Sequence, residues 1–208
     1  MNKKDFLFKF LPKSIRDQVK MDEEALFSVT DQLTADKITN DLSKFISSDD
    51  IITDGTACVG GNTFSFSRTF GHVNAVELDK QRYEFLRHNM NILGADNVVC
   101  YHGDIMNLIN RLDQSMVFLD APWGGPCYKS QALVDLFLSN IPLSEVCRMF
   151  TARTKYIALK TPINFDIESF LRTTAPYMRL VHKNIRLRKL HLYIFESISH
   201  AEISVHIS

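Results

Sequence analysis

The sequence Ile51-Ile-Thr-Asp-Gly-Thr-Ala-Cys-Val-Gly-Gly-Asn-Thr63 joins a short apolar run, a glycine-containing turn and the start of a helical pattern. This order is typical of the first strand, turn and helix of an α/β protein, and such sheets bind ligands beyond the carboxyl ends of their strands. The turn lacks the Gly-x-Gly-x-x-Gly spacing that binds a dinucleotide pyrophosphate. We therefore expect an α/β sheet whose ligand is not a dinucleotide.

Strand and helix patterns alternate along the rest of the chain. Strands are predicted at Ile51–Asp54, Val73–Leu78, Val98–His102, Met116–Asp120, Tyr156–Lys160, Met178–Lys183 and Leu190–Phe195. Helices are predicted at Leu33–Ile46, Lys80–Leu93, Leu133–Leu138, Leu143–Phe150 and Phe165–Leu171. The last two strands are close enough in sequence to form an antiparallel hairpin, an ending usual for methyltransferases. We predict a Rossmann-like α/β fold with a seven-stranded, mostly parallel sheet and a short N-terminal helical extension.

Length and composition limit the number of domains. At 208 residues with 45% hydrophobic content, the chain suits one substantial core. We expect residues 1–30 to be a basic extension that closes over the active site, and residues 31–208 to be one domain. No apolar run reaches about 18 residues and no signal-peptide pattern is present, which predicts a soluble, intracellular protein that does not contact membranes. We also expect it to be a monomer. The four cysteines form no Cys-x-x-Cys pair, so neither a metal site nor a disulfide framework is predicted.

Charge is balanced in total but unevenly distributed. The chain has 24 basic and 24 acidic residues, yet residues 1–20 and residues 172–189 are both rich in lysine and arginine. Two basic segments that flank one site could hold the phosphates of a nucleic acid. Either segment alone is more simply interpreted as a solvated face.

Three acidic residues follow successive predicted strands. Asp54 would suit a ligand with an amino group, Glu77 could accept hydrogen bonds from ribose hydroxyls, and Asp104 stands where an adenine amino group would lie. Each acid alone could merely cap the following helix. Together, at three successive strand ends, they favour a site for S-adenosylmethionine.

The segment Asp120-Ala-Pro-Trp-Gly-Gly-Pro126 follows the fourth core strand. A methyltransferase that acts on a nucleobase amino group must hold the base flat and aim its nitrogen at the methyl group. Asp120 and a nearby backbone carbonyl could accept the amino hydrogens, and Trp123 could stack on the base. A lone tryptophan is more often a core residue, but a stiff loop at a strand end favours a ring that covers a ligand.

These segments resemble the trimethylguanosine synthases, which methylate the 2-amino group of 7-methylguanosine RNA caps. The resemblance covers most of the chain. It is carried by Lys20-Met-Asp-Glu-Glu-Ala-Leu-Phe-Ser-Val-Thr30, Val59-Gly-Gly-Asn-Thr63, and Pro122-Trp-Gly-Gly-Pro126 followed by Tyr128. It implies S-adenosylmethionine as cofactor, capped RNA as substrate, and dimethylguanosine or trimethylguanosine caps as products.

The resemblance also implies roles for individual residues. Trp123 would stack on the methylated guanine, and Lys20 with Phe27 would help to close the site. The expected catalytic residues are Asp120, Pro122 and Trp123. The expected cofactor-binding residues are Phe27, Thr30, Asp54, Gly60, Asn62, Thr63, Glu77 and Asp104. The expected substrate-binding residues are Lys20, Trp123, Tyr128, Lys160 and Asn164.

Three positions depart from the family pattern. Ala121 replaces the first proline of a Pro-Pro-Trp segment, Cys58 replaces a glycine of the cofactor loop, and Ile163 replaces an arginine that precedes an asparagine. The last change would leave Lys160 or the basic hairpin to hold the cap phosphates.

Two other functions fit the same residues. One is an amino-methyltransferase that acts on adenine or unmethylated guanine in RNA or DNA, and the other is an inactive scaffold that binds caps or RNA. The chain lacks the long N-terminal extension of many cellular family members, so a compact enzyme from a microbe or virus is expected.

Overall fold

The computed structural model describes residues 3–187 and 189–198. The chain divides into two compact units, Met1–Leu108 and Ile109–Ser208. Seven strands form a mostly parallel sheet that ends in an antiparallel pair. The predicted fold class is thereby confirmed.

The first unit begins with four helices and continues as alternating strands and helices. The helices are α1 (Lys3–Leu7), α2 (Lys13–Arg16), α3 (Glu23–Ser28), α4 (Gln32–Leu42), α5 (Gly61–Ser67) and α6 (Lys80–Ile92). The strands are β1 (Ile51–Asp54), β2 (His72–Glu77) and β3 (Val98–His102). A short 3₁₀ helix covers Ile105–Asn107.

Aspartates set the starts of three helices in this unit. Asp22, Asp31 and Asp79 precede α3, α4 and α6, and each side chain accepts a backbone N–H from the first turn. An aspartate at this position satisfies a donor that the helix itself leaves unpaired. The strands lie in the order β3-β2-β1, and both pairs are parallel.

The second unit contains the antiparallel end of the sheet. Its strands are β4 (Met116–Leu119), β5 (Phe137–Leu138), β6 (Ile141–Pro142), β7 (Tyr156–Pro162), β8 (Met178–Leu187) and β9 (Leu190–Ser197). Its helices are α7 (Leu143–Phe150) and α8 (Ile167–Thr174), and a 3₁₀ helix covers Gly125–Ser130. The sheet order in this unit is β4-β7-β9-β8, in which β4 and β7 are parallel and both pairs made by β9 are antiparallel. The predicted C-terminal hairpin is confirmed; Arg188 in its turn lies outside the described residues.

One predicted helix is wrong. Residues 133–138 do not form a helix: Phe137–Leu138 is the short strand β5, which pairs antiparallel with β6. Ser139 and Asn140 both have positive φ in the turn between these strands. A short apolar run fits a strand and a helix equally well, so its periodicity could not decide between them.

Candidate functional site

Three carboxylates lie at the carboxyl ends of neighbouring strands in the first unit. Asp54 ends β1, Glu77 ends β2, and Asp104 follows β3 after a single glycine. Because β1, β2 and β3 are parallel neighbours, these residues lie along one edge of the sheet, where α/β proteins bind ligands. The structure therefore brings together the three acids that the sequence singled out.

Asp54 and Asp104 also accept hydrogen bonds from residues that follow them in the chain. Asp54 is buried and accepts a hydrogen bond from the Thr63 hydroxyl at 2.7 Å. Asp104 accepts the backbone N–H of Met106 at 2.9 Å and caps the 3₁₀ helix. Thr63 is itself fully buried, so in this conformation it positions Asp54.

Glu77 joins the glycine turn to the start of α6. One carboxylate oxygen accepts the N–H of Cys58 at 2.9 Å, and the other accepts the N–H of Asp79 at 2.8 Å. Cys58 has a φ of 50°, in the left-handed region that costs an L-residue energy and that glycine adopts freely. This conformation gives a physical reason for the glycine that the family pattern has at this position.

Arg82 on α6 extends this network to the N-terminal segment. Its guanidinium lies 2.6 Å from Glu24, 3.6 Å from Glu77 and 3.8 Å from Asp22. Desolvation tends to lower the pKa of Arg82, but the hydrogen bond that Arg82 donates to Glu24 and the charge of Glu77 raise it overall. Arg82 therefore stays charged and holds residues 22–24 beside the strand edge. Sequence reasoning missed this residue, although its place in the first turn after Asp79 was visible.

Asn62 has a buried acceptor without a partner. Its side-chain N–H donates to the Thr30 hydroxyl at 3.1 Å, whereas its Oδ1 atom has no hydrogen-bond partner among the residues that the structure describes. Asn62 is only 7% exposed. A buried acceptor without a donor is costly, and this one lies in the first turn of α5, directly after the glycine turn.

Gly60 and Gly61 are required by packing inside the protein. Gly60 has a φ of 98°, and a Cβ atom there would lie 2.4 Å from Met90 Cε. A Cβ atom on Gly61 would lie 2.6 Å from Val29 Cγ2 and 2.7 Å from the Thr30 carbonyl oxygen. The expectation that both glycines let the backbone approach a ligand therefore has a competing explanation: one fits α6 and the other fits the N-terminal segment.

Asn89 on α6 links the N-terminal segment to the glycine turn. Its side chain accepts the backbone N–H of Lys20 at 2.8 Å and donates to the carbonyls of Lys20 and Val59, each at 2.9 Å. Asn89 is buried, so these hydrogen bonds are shielded from water. Sequence reasoning missed this residue, because a polar residue on an amphipathic helix does not reveal its partner.

Two residues of the N-terminal segment have exposed side chains. The Lys20 side chain is exposed, and Phe27 is 82% exposed with the Lys3 ammonium 3.5 Å from its ring centroid. Residues around them are buried: Leu7, Phe8, Val19, Ala25 and Val29 form a core with Val59 of the glycine turn. The segment is therefore packed against the turn, while Phe27 and the Lys20 side chain extend from it.

In the second unit, Asp120 is paired with Lys160. Lys160 lies on β7, only 4% exposed, and its ammonium contacts the carboxylate that follows β4. The parallel register pairs Leu119 with Leu159, which places the next residue of each strand side by side. Burial raises the pKa of Asp120, and the charge and hydrogen bond of Lys160 oppose that rise.

Trp123 lies beside this ion pair. The Lys160 ammonium is 5.1 Å from the centroid of the indole ring, and Tyr128 packs edge-on against Trp123 with ring centroids 5.2 Å apart. The indole N–H is buried and has no hydrogen-bond partner within the described part of the chain. The structure thus brings together Asp120, Trp123, Tyr128 and Lys160, all of which the sequence identified, while Pro122 in the same loop is exposed.

Asn164 holds the far end of the Trp123 loop. Its side-chain N–H group donates to the carbonyls of Tyr128 and Gln131, both at 2.9 Å. Its Oδ1 atom is buried, with no partner in residues 3–187 and 189–198. Ile163 before it is exposed, as expected for a position that carries arginine in the family pattern.

The comparison with protein families identifies this chain. The family described as RNA cap guanine-N2 methyltransferase matches residues 49–196. The chain belongs to this family. It is therefore a methyltransferase of the cap guanine-N2 family, and the family together with the class I methyltransferase fold implies S-adenosylmethionine as the cofactor.

Three relatives show how far this family member resembles known sequences. A protein of Acanthamoeba polyphaga mimivirus is 35% identical over 132 residues, covering 61% of this chain and 52% of that protein. The trimethylguanosine synthase of Schizosaccharomyces pombe is 28% identical, covering 71% of this chain and 64% of the relative. The Saccharomyces cerevisiae enzyme is 24% identical, covering 75% and 52%. The chain thus matches between about half and two thirds of the length of these relatives.

Solved structures show the same fold at lower identity. The precorrin-6y C5,15-methyltransferase of Geobacter metallireducens superposes with a TM-score of 0.59 at 18% identity, covering 88% of this chain and 95% of that chain. Trm5b of Pyrococcus abyssi superposes with a TM-score of 0.56 at 12% identity, covering 88% and 51%. Both comparisons support the class I methyltransferase fold of this family member.

The residues of the first unit fit S-adenosylmethionine. The cofactor carries a positive charge together with amino and hydroxyl hydrogens. The strand edge offers three carboxylates, and the Asn62 Oδ1 atom is a buried acceptor without a donor in the described residues. These acceptors suit the positive charge and the amino and hydroxyl hydrogens of such a ligand.

Neither a group of metal-binding side chains nor a membrane-spanning helix occurs among the described residues. Residues 3–187 and 189–198 contain no group of three or more His, Cys, Asp or Glu side chains placed to hold a metal ion. No helix there is both long and apolar enough to span a bilayer.

Proposed function

We propose that this chain transfers methyl groups from S-adenosylmethionine to the 2-amino group of the guanine in a 7-methylguanosine RNA cap. A first transfer gives a dimethylguanosine cap and a second gives a trimethylguanosine cap. The observation that carries the proposal is the cluster of Asp120, Lys160 and Trp123: a carboxylate and a large aromatic ring stand side by side in a member of the cap guanine-N2 family. The trimethylguanosine synthases among its relatives support the same substrate.

Trp123 would hold the base by stacking. The lone pair of the guanine amino group is delocalised into the ring, so a flat, fixed base is required to aim the nitrogen. Tyr128 packs edge-on against the indole and Asn164 holds the Tyr128 carbonyl, so the ring is supported on a fixed loop. A 7-methylated guanine is cationic, and stacking on tryptophan adds about 0.5 to 2 kcal/mol for a cation. Because Lys160 is paired with Asp120, its positive charge is balanced locally.

Asp120 would accept a hydrogen of the 2-amino group, with the Pro122 carbonyl as a second acceptor in the exposed loop. The bound cofactor supplies a methyl group on a sulfonium centre, whose departure as a neutral thioether requires no acid. The methylated amine then loses its proton readily. The chain therefore needs an acceptor that orients the amine and no strong base.

The cofactor would be held by residues of the first unit. Glu77 would bind the ribose, Asp104 the adenine amino group, and Asp54 the amino group of the methionine part, with Thr63 fixing Asp54. Asn62 would offer its Oδ1 atom, supported by Thr30 and the turn at Gly60. Lys20 and Phe27, whose side chains extend from residues 1–30, would close over the ligands.

The direct test is mass analysis of a 7-methylated cap dinucleotide after incubation with S-adenosylmethionine. We expect a gain of one or two methyl groups on the guanine 2-amino nitrogen. A cap that lacks the 7-methyl group should react tens-fold more slowly, since a cation over tryptophan is worth about 2 kcal/mol when desolvated. Equal turnover of both caps would contradict the cap assignment and favour a general nucleobase amino-methyltransferase.

Two substitutions of Trp123 test whether its ring stacks on the base. Trp123→Ala should abolish activity, and Trp123→Phe should retain part of both the activity and the preference for the 7-methylated cap. A Trp123→Ala protein that still discriminates between the two caps would rule out stacking on this ring. Calorimetry with S-adenosylmethionine tests whether the chain is instead an inactive scaffold that binds caps or RNA, because such a scaffold has no need to bind the cofactor.

A further inference from the structure

Asp120 and Lys160 place an acceptor and a donor side by side, and the Lys160 ammonium lies over the ring of Trp123. We propose that these two side chains together read the Watson–Crick edge of a guanine stacked on Trp123 and so select guanine over other purines. This inference rests on the proposed function, because it names the groups that identify the base. The sequence alone suggested a different role for Lys160, in which this lysine or the basic hairpin holds the cap phosphates.

The hydrogen-bonding groups of the pair match guanine. A carboxylate only accepts and an ammonium only donates. Guanine presents two donors, N1–H and the 2-amino group, next to one acceptor, O6. Adenine instead presents an acceptor at N1 next to an amino donor, so its N1 lone pair would face the Asp120 carboxylate. The pair therefore favours the guanine pattern and opposes the adenine pattern.

Both side chains can contact each other and a base at the same time. Each carboxylate oxygen has two lone pairs and the ammonium has three hydrogens. One lysine hydrogen contacts Asp120, which leaves further hydrogens for O6 of the base. In a 7-methylated guanine the N7 acceptor is blocked, so O6 is the acceptor that remains for a lysine.

The position of Lys160 suits a contact at the edge of a base. Its ammonium lies 5.1 Å from the Trp123 ring centroid, whereas the Lys3 ammonium lies 3.5 Å from the centroid of Phe27. At this distance the Lys160 ammonium leaves room beside the ring, and Asp120 holds it in place. A base stacked on the indole would meet the ammonium at its rim.

The pair is also fixed in place. Lys160 is buried on β7 and Asp120 directly follows β4, and the parallel register of these strands sets their relative position. Binding groups on strands keep their geometry better than groups on loops. The simpler explanation is an ion pair that only stabilises the sheet, and the experiments below separate the two roles.

The first experiment uses the unmodified chain and three ligands. Trp123 is the single tryptophan of the sequence, so its fluorescence reports stacking at this ring directly. We expect 7-methylguanosine diphosphate to bind at least about tenfold more tightly than 7-methylinosine diphosphate, which lacks the 2-amino donor to a carboxylate. The loss of affinity should be at least as large for 7-methyladenosine diphosphate, because adenine has an acceptor where guanine has the N1–H donor and a donor where guanine has the O6 acceptor.

The two hypotheses fail differently in this experiment. Quenching of Trp123 by all three nucleotides with equal affinity would overturn the base-reading role and leave the cap-binding function in place. No quenching by any 7-methylated nucleotide would overturn the proposed function itself.

The second experiment changes the pair. Lys160→Arg keeps a donor and a positive charge and should keep the preference for guanine over inosine. The double variant Asp120→Asn with Lys160→Gln removes both charges without leaving one buried alone, and should reduce the preference to less than about threefold. Lys155→Gln is the matched control, because this exposed lysine also lies over an aromatic ring, Tyr156 at 5.0 Å, and near a carboxylate, Glu196. If the double variant folds and keeps the full preference for guanine over inosine, the ion pair only stabilises the sheet and does not read the base.

Discussion

The backbone N–H of Cys58 donates to the Glu77 carboxylate at 2.9 Å, across the gap between the glycine turn and the end of β2. The second oxygen of the same carboxylate accepts the N–H of Asp79, the residue that caps α6. One side chain thus fixes both the turn and the helix start. A residue chosen from the sequence as a ribose ligand also has a structural role, so its substitution has two separable effects.

Glu77→Ala should lower both stability and cofactor binding. Two backbone N–H groups lose their acceptor, and leaving a buried donor unsatisfied costs about 1 to 3 kcal/mol. Glu77→Gln keeps one acceptor oxygen and should lose less stability while still binding S-adenosylmethionine poorly. Chemical denaturation gives the free energy of unfolding and calorimetry gives the affinity. Wild-type stability in Glu77→Ala would contradict the structural role, and wild-type affinity in both variants would contradict the ligand role.

Cys58→Gly should raise the stability of the chain slightly. The left-handed φ of Cys58 costs roughly 1 to 2 kcal/mol for a residue with a Cβ atom, and the extra chain entropy of glycine offsets roughly 0.5 to 1 kcal/mol of the gain. The denaturant midpoint measures the net effect. Cys58→Val should be less stable than the wild type, because a branched side chain suits this conformation worst. A lower midpoint for glycine than for cysteine would contradict this account.

Asn62→Ala should weaken S-adenosylmethionine binding by about tenfold or more, because it removes an acceptor for a charged or polar group of the cofactor. Asn97→Ala is the matched control. It also removes an asparagine amide from the first unit, one that donates to the Ser67 and Phe70 carbonyls, so the affinity of this variant for the cofactor should stay within about threefold of the wild type. Calorimetry on both folded variants measures the two affinities. Equal losses of affinity would mean that Asn62→Ala acts through the fold and not through a contact with the cofactor.

The pH dependence should follow Asp120. Burial raises the pKa of this carboxyl above its ordinary value and Lys160 opposes the rise, so kcat/KM should fall on acidification at a higher pH than an ordinary aspartate would give. Lys160→Met removes the opposing charge, and the acidic limb of the profile should move to higher pH. Lys155→Met is the control and should leave the limb unchanged. An acidic limb at the same pH in Lys160→Met would show that another group controls it.

The same carboxyl should affect stability in a defined direction. Its pKa is raised in the folded chain, so the folded state holds this proton more tightly than the unfolded state. The contribution of Asp120 to stability is then greatest below the ordinary pKa of an aspartate, and it is lost as the pH rises through the raised value. Asp120→Asn should remove this part of the pH dependence, which thermal unfolding at several pH values will show. If the pH dependence of stability is unchanged in Asp120→Asn, other groups are responsible for it.

The hairpin formed by β8 and β9 should contribute to RNA binding through phosphates. Lys183, Arg186 and Lys189 are exposed there. Their replacement by glutamine should weaken binding of a capped RNA and flatten its salt dependence by about 0.7 per lost contact with a single strand. Arg179→Gln on the same strand is the control, because Arg179 is paired with Glu196 at 2.7 Å. If the salt dependence of RNA binding is unchanged in the triple variant, these three side chains do not contact phosphates and the hairpin is only a solvated face.

The sequence predicted the regular elements well where the pattern was long or sharply bounded. Strand β1 and helix α7 begin and end at the predicted residues, since a carboxylate or a proline marks their limits. Residues 133–138 were misassigned because six residues cannot distinguish a period of two from one of 3.6. The acids at the strand ends were found because the ends of parallel strands recur at one edge of a sheet.

Contacts between distant residues could not be predicted in this way. Asp120 and Lys160 were each identified, but their pairing depends on the register of β4 against β7, which no local pattern encodes. Arg82 and Asn89 were missed for a related reason. Both lie on α6, and each has a partner in the N-terminal segment, far away in the sequence.

The hydrogen bonds of Asn89 decide how the chain can be shortened. The recognisable family segment begins at residue 49, which suggests a natural place to cut. A protein that begins there would leave this interior amide without its Lys20 partners, and Val59 without the apolar residues that cover it. The segment that matches the family model is therefore shorter than the part of the chain that packs together. Residues before position 49 cover buried groups of the methyltransferase, so a protein cut there should fold poorly.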